Sequence, residues 1–344
     1  MLRRKPAVIR LLVGLGVLVS AALVVACQVP VFRYALERWA ADQYRYVILC
    51  DQPLSASEQG LVDKLVSPRQ SAAAGVLRVH QVTDKSDAYL QKLWRGRTAG
   101  QPLVVCLFPR TASVETTEPA FVCSLEPKAV QLISDSPVRT ELRRRLQQGD
   151  SAVWLFLESG QAERDNATRQ RLEASLAVQQ SKLKLPTSAE MEVTVDQLQS
   201  LQVPLKLSFS ILSLRRSDTA EAFLVNCLLQ SEEDLLSLNE PMAFPVFGRG
   251  RVLYALVGEG ISESTIADAC QFLTGPCSCQ VKEQNPGFDL LLPGDWERVI
   301  GGVLISDPLP TAGEGQRKGA APQLLTIPPG RKSGSPADGG KNNP

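Results

Sequence analysis

Two cysteines, Cys277 and Cys279, stand one residue apart behind a helix-stopping Gly275-Pro276, and no other stretch concentrates reactive side chains so closely. Thiolates attack disulfides and bind soft metals. The pair could therefore act as a redox dithiol, or as a soft-metal site completed by a third cysteine. It could also supply two halves of structural disulfides to cysteines elsewhere, Cys270 among them. A bond directly between the two would close a small, strained and reactive ring. Of the eight cysteines in the chain, Cys50, Cys106, Cys123 and Cys227 are expected inside apolar strands and Cys270 on an apolar helix face. Those read as small core hydrophobes. His80 is the one histidine, so a Ser-His-Asp or Cys-His site would have to use it, and a two-histidine metal site is excluded. Its place in an alternating run makes it a half-buried strand residue.

The pair is positioned by Pro241–Cys279, where local rules agree closely. Phe244-Pro245-Val246-Phe247 reads as a strand, with Pro245 suited to an edge, a start or a bulge. Gly248-Arg249-Gly250 supplies the positive-φ residues of a tight hairpin. Val252 to Val257 reads as a buried partner strand. Ser262 then caps a helix, Ile261 and Ile266 fit a hydrophobic staple, and Ile266, Ala269, Cys270 and Leu273 mark its inner face. Gly275-Pro276 ends it.

At the start of the chain, Arg3, Arg4, Lys5 and Arg10 precede the uncharged run Leu11–Ala26. A basic head, an apolar body and small residues at the end describe an export signal or a membrane anchor over residues 1–27. The run is slightly shorter than the ~20 residues of a comfortable span. Leu23-Val24-Val25-Ala26-Cys27 resembles a lipobox, the cleavage site of bacterial lipoprotein signals, which implies that Cys27 would be the lipidated N-terminus. A lipid anchor, an uncleaved signal-anchor and a simple cleaved signal all place the body outside the cytoplasm.

The body divides into two α/β units, residues 28–149 and 150–306. In the first, Val31–Trp39 reads as a short helix with Arg33 and Glu37 paired at i,i+4. Tyr44–Cys50 is a strand, Ser55-Ala56-Ser57-Glu58 a capping box opening a helix, and Val76–Val82 a second strand. Asp87–Trp94 is a helix. Pro102–Phe108 and Phe121–Leu125 are further strands. Ser136-Pro137 starts a helix that Gly149 closes. Its Arg139, Arg143, Arg144 and Arg145 are expected on the outer side, as an anionic-lipid or partner patch or as a solvated face with Glu141. In the second unit, Ala152–Leu157 is a strand and Gln161–Leu183 a long polar helix. Leu205–Ile211 alternates as a half-buried strand, expected to form an antiparallel hairpin with Phe223–Leu229. Phe288–Leu292 and Trp296–Ile305 pack on after the cysteine pair. Residues 307–344 are rich in Pro and Gly and read as a disordered tail.

The order strand, helix, strand, helix, proline-led strand, strand, helix resembles the thioredoxin-like fold, with Pro102 and Pro245 in the place of that family's strand-leading proline. Two tandem thioredoxin-like domains with mixed sheets, behind one N-terminal hydrophobic helix, are therefore expected. The family's Cys-x-x-Cys is missing. Its position holds Cys50-Asp51-Gln52-Pro53 in the first unit and Glu158-Ser159-Gly160-Gln161 in the second, so the usual dithiol exchange is not available to either. The stretches CQVPVFRYALERW and GPCSCQVK also resemble those of uncharacterised bacterial envelope proteins, which implies a location and no activity. The expectation is a membrane-tethered, non-catalytic envelope protein that binds another envelope component. The alternative is a thiol-disulfide oxidoreductase or a soft-metal binder using Cys277 and Cys279. Lys plus Arg total 37 against 36 Asp plus Glu, which gives no broad electrostatic case for nucleic acid. No phosphate loop or dinucleotide fingerprint appears, so no cofactor is called for.

Overall fold

The computed structural model describes residues 28–66, 76–83, 88–96, 100–110, 112, 118–277 and 281–309. The expected N-terminal hydrophobic helix, Cys27, Cys279 and almost all of the expected disordered tail lie outside the described residues. No helix among the described residues is long and apolar enough to cross a membrane.

The fold is mixed α/β with a four-stranded and a six-stranded sheet, both mixed. Helix α1 (Val31–Arg38) leads into β1 (Arg45–Cys50), α2 (Ala56–Leu65), β2 (Val76–Gln81), α3 (Ala88–Arg95), β3 (Leu103–Leu107) and β4 (Phe121–Ser124). The first sheet has the order β2-β1-β3-β4. β1 runs parallel to β2 and antiparallel to β3, and β4 is antiparallel to β3. Helices α4 (Pro127–Ser134) and α5 (Pro137–Gln147) connect to β5 (Ala152–Glu158), α6 (Ala162–Lys182), α7 (Val195–Gln199), β6 (Phe209–Arg215) and α8 (Ala222–Leu229). Then come β7 (Met242–Phe247), β8 (Arg251–Val252), β9 (Leu256–Val257), α9 (Glu263–Thr274), β10 (Phe288–Asp289) and α10 (Trp296–Ile300). The second sheet has the order β10-β8-β7-β5-β6, with β9 also on β7. β5 is parallel to β6 and antiparallel to β7, which is antiparallel to β8. The second sheet thus repeats the order and directions of the first in β6-β5-β7-β8.

Strand alternation separates three cores. Tyr46 and Ile48 of β1, Val104 and Cys106 of β3, Val153 and Leu155 of β5 and Phe244 of β7 share one cluster with Leu142, Leu146 and Phe223. That cluster joins one face of each sheet through α5 and α8. The opposite face of the second sheet, with Trp154, Phe156 and Phe247, packs against α1, α6 and α9. The opposite face of the first sheet, with Leu49 and Val105, is covered by Leu90 and Trp94 of α3. Fully burying one large apolar side chain is worth ~1.5–3 kcal/mol, so the shared cluster ties the two sheets strongly.

Four expectations are corrected. Phe223–Leu229 belongs to helix α8, not to a strand. Six of the eight residues of α8 are buried, and a run apolar on nearly every side carries no period to tell strand from helix. Its intended partner begins only at Phe209 and pairs in parallel with β5, so there is no antiparallel hairpin. The Val252–Val257 run is not one strand. It pairs with β7 at each end and leaves it between, as β8 and β9. Pro245 consequently lies inside the sheet, opposite Trp154 of β5. The break explains why it is tolerated. Its carbonyl accepts from Leu253 N at 3.0 Å, and a strand residue points its N and O to the same side. The missing N–H therefore faces the gap between β8 and β9, which is a bulge in effect.

Arg139 is the fourth correction. It is fully buried, not on the outer side of α5. Its guanidinium donates to Ser136 Oγ (3.0 Å) and to the carbonyls of Ile133 (2.9 Å), Leu291 (3.1 Å) and Leu132, and stacks 4.8 Å from the Phe223 ring centroid. Burial pushes its pKa down, opposed first by Asp135. The remaining arginines are ion-paired, Arg144 exposed and Arg143 and Arg145 half-buried: Arg144 and Arg145 with Glu141 at 2.6 and 2.7 Å, and Arg143 with Asp135 at 3.1 Å.

Candidate functional site

The chain around Cys277 is held by the chain next to residue 28. Ser262 accepts from Thr265 N to cap α9, and Gly275 ends it. Pro276 then forms an antiparallel bridge with Pro30. Val31 N donates to Gly275 O and Cys277 N donates to Val29 O, both at 3.0 Å. Cys277 is 2 % exposed and packs in one cluster with Val29, Val31, Cys270 and Leu273. The chain is pinned again at Lys282, whose ammonium meets Asp42 at 2.9 Å and Asp289 at 2.5 Å. Arg251 shares Asp289 at 3.2 Å and lies over the Trp39 ring. Every donor nitrogen of Arg251 is engaged, so this charged cluster reads as a clasp.

Five other thiols among the described residues are pushed toward their neutral form. Burial pushes the thiols of Cys227 and Cys270 up to about 12. It does the same to Cys123, helped by Glu126. Cys106 is pushed well above its ordinary value and Cys50 is raised, in both cases first by burial. A thiol kept protonated is a poor nucleophile and a poor metal ligand. Among the described residues no group of three His, Cys, Asp or Glu is placed to hold a metal ion. His80 is half-buried in β2, opposite Leu49 of β1.

The turn between β5 and α6 is closed by its own chain. Asp165, in the first turn of α6, accepts from Ser159 N (2.8 Å), Ser159 Oγ (2.7 Å) and Gly160 N (2.9 Å). Asp165 thereby occupies the two turn amides and the Ser159 hydroxyl, and Gln161 adds no side-chain cap to the start of α6. A shallow cavity of about 500 Å³ opens beside Gln161–Arg164, and Arg164 there is ion-paired to Glu240. A second open groove, about 530 Å³, runs between Leu183–Thr187 and Gln271–Pro276, with Gln28 in its wall.

The sequence did not point to the clasp around α1. Arg33 and Glu37 do pair, at 2.6 Å, with both side chains essentially excluded from solvent. Burial lowers the Arg33 pKa and Glu37 opposes the shift. Glu37 Oε2 also accepts from Ile305 N (3.0 Å), Ser306 N (2.8 Å) and Ser306 Oγ (2.6 Å). Arg249 donates to the carbonyls of Leu36 and Glu37 at 2.8 and 3.0 Å, a cation on the C-terminal end of a helix. Gly248 has φ +59°, and a Cβ there would stand 2.8 Å from Ala35 Cβ. The Gly-Arg-Gly hairpin thus makes room for α1 and caps it. A mostly apolar helix carrying an i,i+4 ion pair and a glycine-flanked arginine were the signals the sequence offered.

No protein-family model matches the chain, and no curated protein sequence matches it.

Proposed function

We propose that this is a membrane-tethered protein of the bacterial cell envelope, with two thioredoxin-like units on the non-cytoplasmic side that bind another envelope component without catalysis. The thioredoxin-like reading is supported by the repeated sheet pattern, β2-β1-β3-β4 and β6-β5-β7-β8. In each unit a parallel strand–helix–strand is followed by an antiparallel pair. The helix α8 removes the surplus strand that the sequence pattern contained. Pro102 stands directly before β3, and Pro245 lies within β7. The tether is supported by the basic head and the uncharged run Leu11–Ala26, with Cys27 as the lipid-bearing residue in the lipoprotein form.

The observation that carries the non-catalytic reading is the β5–α6 turn. On a thioredoxin-like scaffold this is where the reactive dithiol would stand, and here Asp165 fills it. Its counterpart after β1 holds Cys50, buried and with a raised thiol pKa. A thiol-disulfide enzyme using Cys277 and Cys279 would instead need an exposed, acidic thiol, and Cys277 is buried. The test is an insulin-reduction assay on the full-length membrane-extracted protein beside Cys277→Ser and Cys279→Ser. No turnover in any of the three agrees with the binding role. Turnover that either serine abolishes would overturn it. Metal analysis of anaerobically purified protein separates the soft-metal alternative.

A further inference from the structure

We infer that the face around Gln28, built from the Leu183–Thr187 stretch and the end of α9, lies flat against phospholipid headgroups. The inference rests on the tether proposed above. The chain allows little freedom at this point. Val29 is 2 % exposed and already part of the core, as is Val31. Between the apolar run ending at Ala26 and that first buried residue stand only Cys27 and Gln28. Three residue steps reach at most about 10 Å. Each headgroup layer is itself roughly 5–8 Å thick, the difference between a hydrocarbon core of ~30 Å and a bilayer of ~40–45 Å. The body therefore has no stalk. Acyl chains on Cys27 would shorten the reach further, to the two steps from Cys27 to Val29.

The surface surrounding Gln28 suits that position. Gln28 is exposed and forms part of the 530 Å³ groove, whose wall carries half-buried Leu183, Leu185 and Pro186 beside exposed Lys184. Lys182, exposed at the end of α6, adds a second cation, and Val178 one turn earlier is 43 % exposed. Glu190 is the acid in the groove wall, and it is engaged by Thr187 N and Oγ1 at 2.7 and 2.8 Å. Apolar side chains flanked by lysines match an interface of anionic headgroups over hydrocarbon. β4 is an edge strand of the first sheet, and Val122 is 36 % exposed. Val122 pairs there with Val105, on the sheet face that turns away from the second sheet.

The test uses the full-length chain reconstituted in vesicles of phosphatidylethanolamine and phosphatidylglycerol, with p-benzoylphenylalanine at Lys184 or at Val122. Flotation of the chain with the vesicles reports the tether. Lipid adducts found by mass spectrometry after irradiation report the face. The expected result is flotation of both proteins, adducts at 184 and none at 122, with loss of the 184 adducts when Lys182→Glu is added. Flotation with adducts at 122, or with none at 184, would overturn the assigned face and leave the tether standing. A chain that stays behind when the vesicles float would overturn the tether and the assigned face with it.

Discussion

Glu37 and Ser306 are bonded twice, through Ser306 N at 2.8 Å and Ser306 Oγ at 2.6 Å, although 269 residues separate them. The same carboxylate balances Arg33 inside the protein. Glu37→Ala leaves a buried arginine without its counter-charge and unfastens the 305–306 segment. Removing one partner of a buried pair destabilises by about 3–5 kcal/mol. Urea unfolding should show a loss of that size. Arg33→Met with Glu37→Leu should recover much of it, because an apolar replacement of the whole pair leaves no charge stranded. An unchanged midpoint for Glu37→Ala would mean that the clasp contributes nothing.

The buried thiols predict an alkaline limit to stability. Cys227 and Cys270 have native thiols pushed up to about 12 from an ordinary 9.0. In the unfolded chain they lose their protons first, so the native state binds more protons between those values. The stability they provide is fully present below pH 9 and is lost as pH rises toward 12. Unfolding free energy should fall across that interval, and less steeply in Cys270→Ala. A flat profile from pH 9 upward would contradict the burial of these thiols. Maleimide at neutral pH should leave Cys106, Cys227, Cys270 and Cys277 unmodified until denaturant is added.

Asp165 is predicted to be a stability residue. Asp165→Ala strips the acceptor from two backbone amides and the Ser159 hydroxyl, and leaving the two buried Ser159 donors unpaired costs about 1–3 kcal/mol each. Thermal unfolding should show a clear destabilisation, while Asp165→Asn, which keeps one oxygen, should lose less. Equal stability of wild type and Asp165→Ala would remove the account of this turn given above.

Gly248→Ala tests the seat of α1. The substitution places a side chain at φ +59° and into Ala35. A left-handed non-glycine residue alone costs of order 1–3 kcal/mol. The variant should be destabilised by at least that much, with faster amide exchange along α1 and β7. Adding Ala35→Gly should relieve the steric part and leave the backbone part.

Much of this architecture was legible where a local rule decides the outcome. The Ser55–Glu58 capping box, the Ser262 cap, the Ile261–Ile266 staple and the Gly275 stop are all found where their spacing placed them. Each is settled within a few residues of chain. What escaped was decided at a distance. Phe223–Leu229 folds as a helix because it sits between two sheets, and a segment buried all round has no polar face to reveal its period. Arg139 stands three and seven residues before Leu142 and Leu146, so helical spacing puts it on their buried face, where an arginine is unusual. The carbonyls that hold it come from the end of α4 and from Leu291, which no spacing within α5 announces. Glu37 was visible only as half of an i,i+4 pair. Its second set of partners lies almost a full chain length away.

That long reach of α1 has a consequence for the order of events during synthesis. The ribosome releases Val31–Arg38 early, but the groups that complete it, Arg249 and Ser306, follow 213 and 269 residues after the groups they bind. A helix of eight residues has little stability by itself. It must wait, unsatisfied, until nearly the whole polypeptide has been delivered. A protein fastened in this way closes from both ends at once, and a truncation short of Ile305 leaves its innermost helix without a latch.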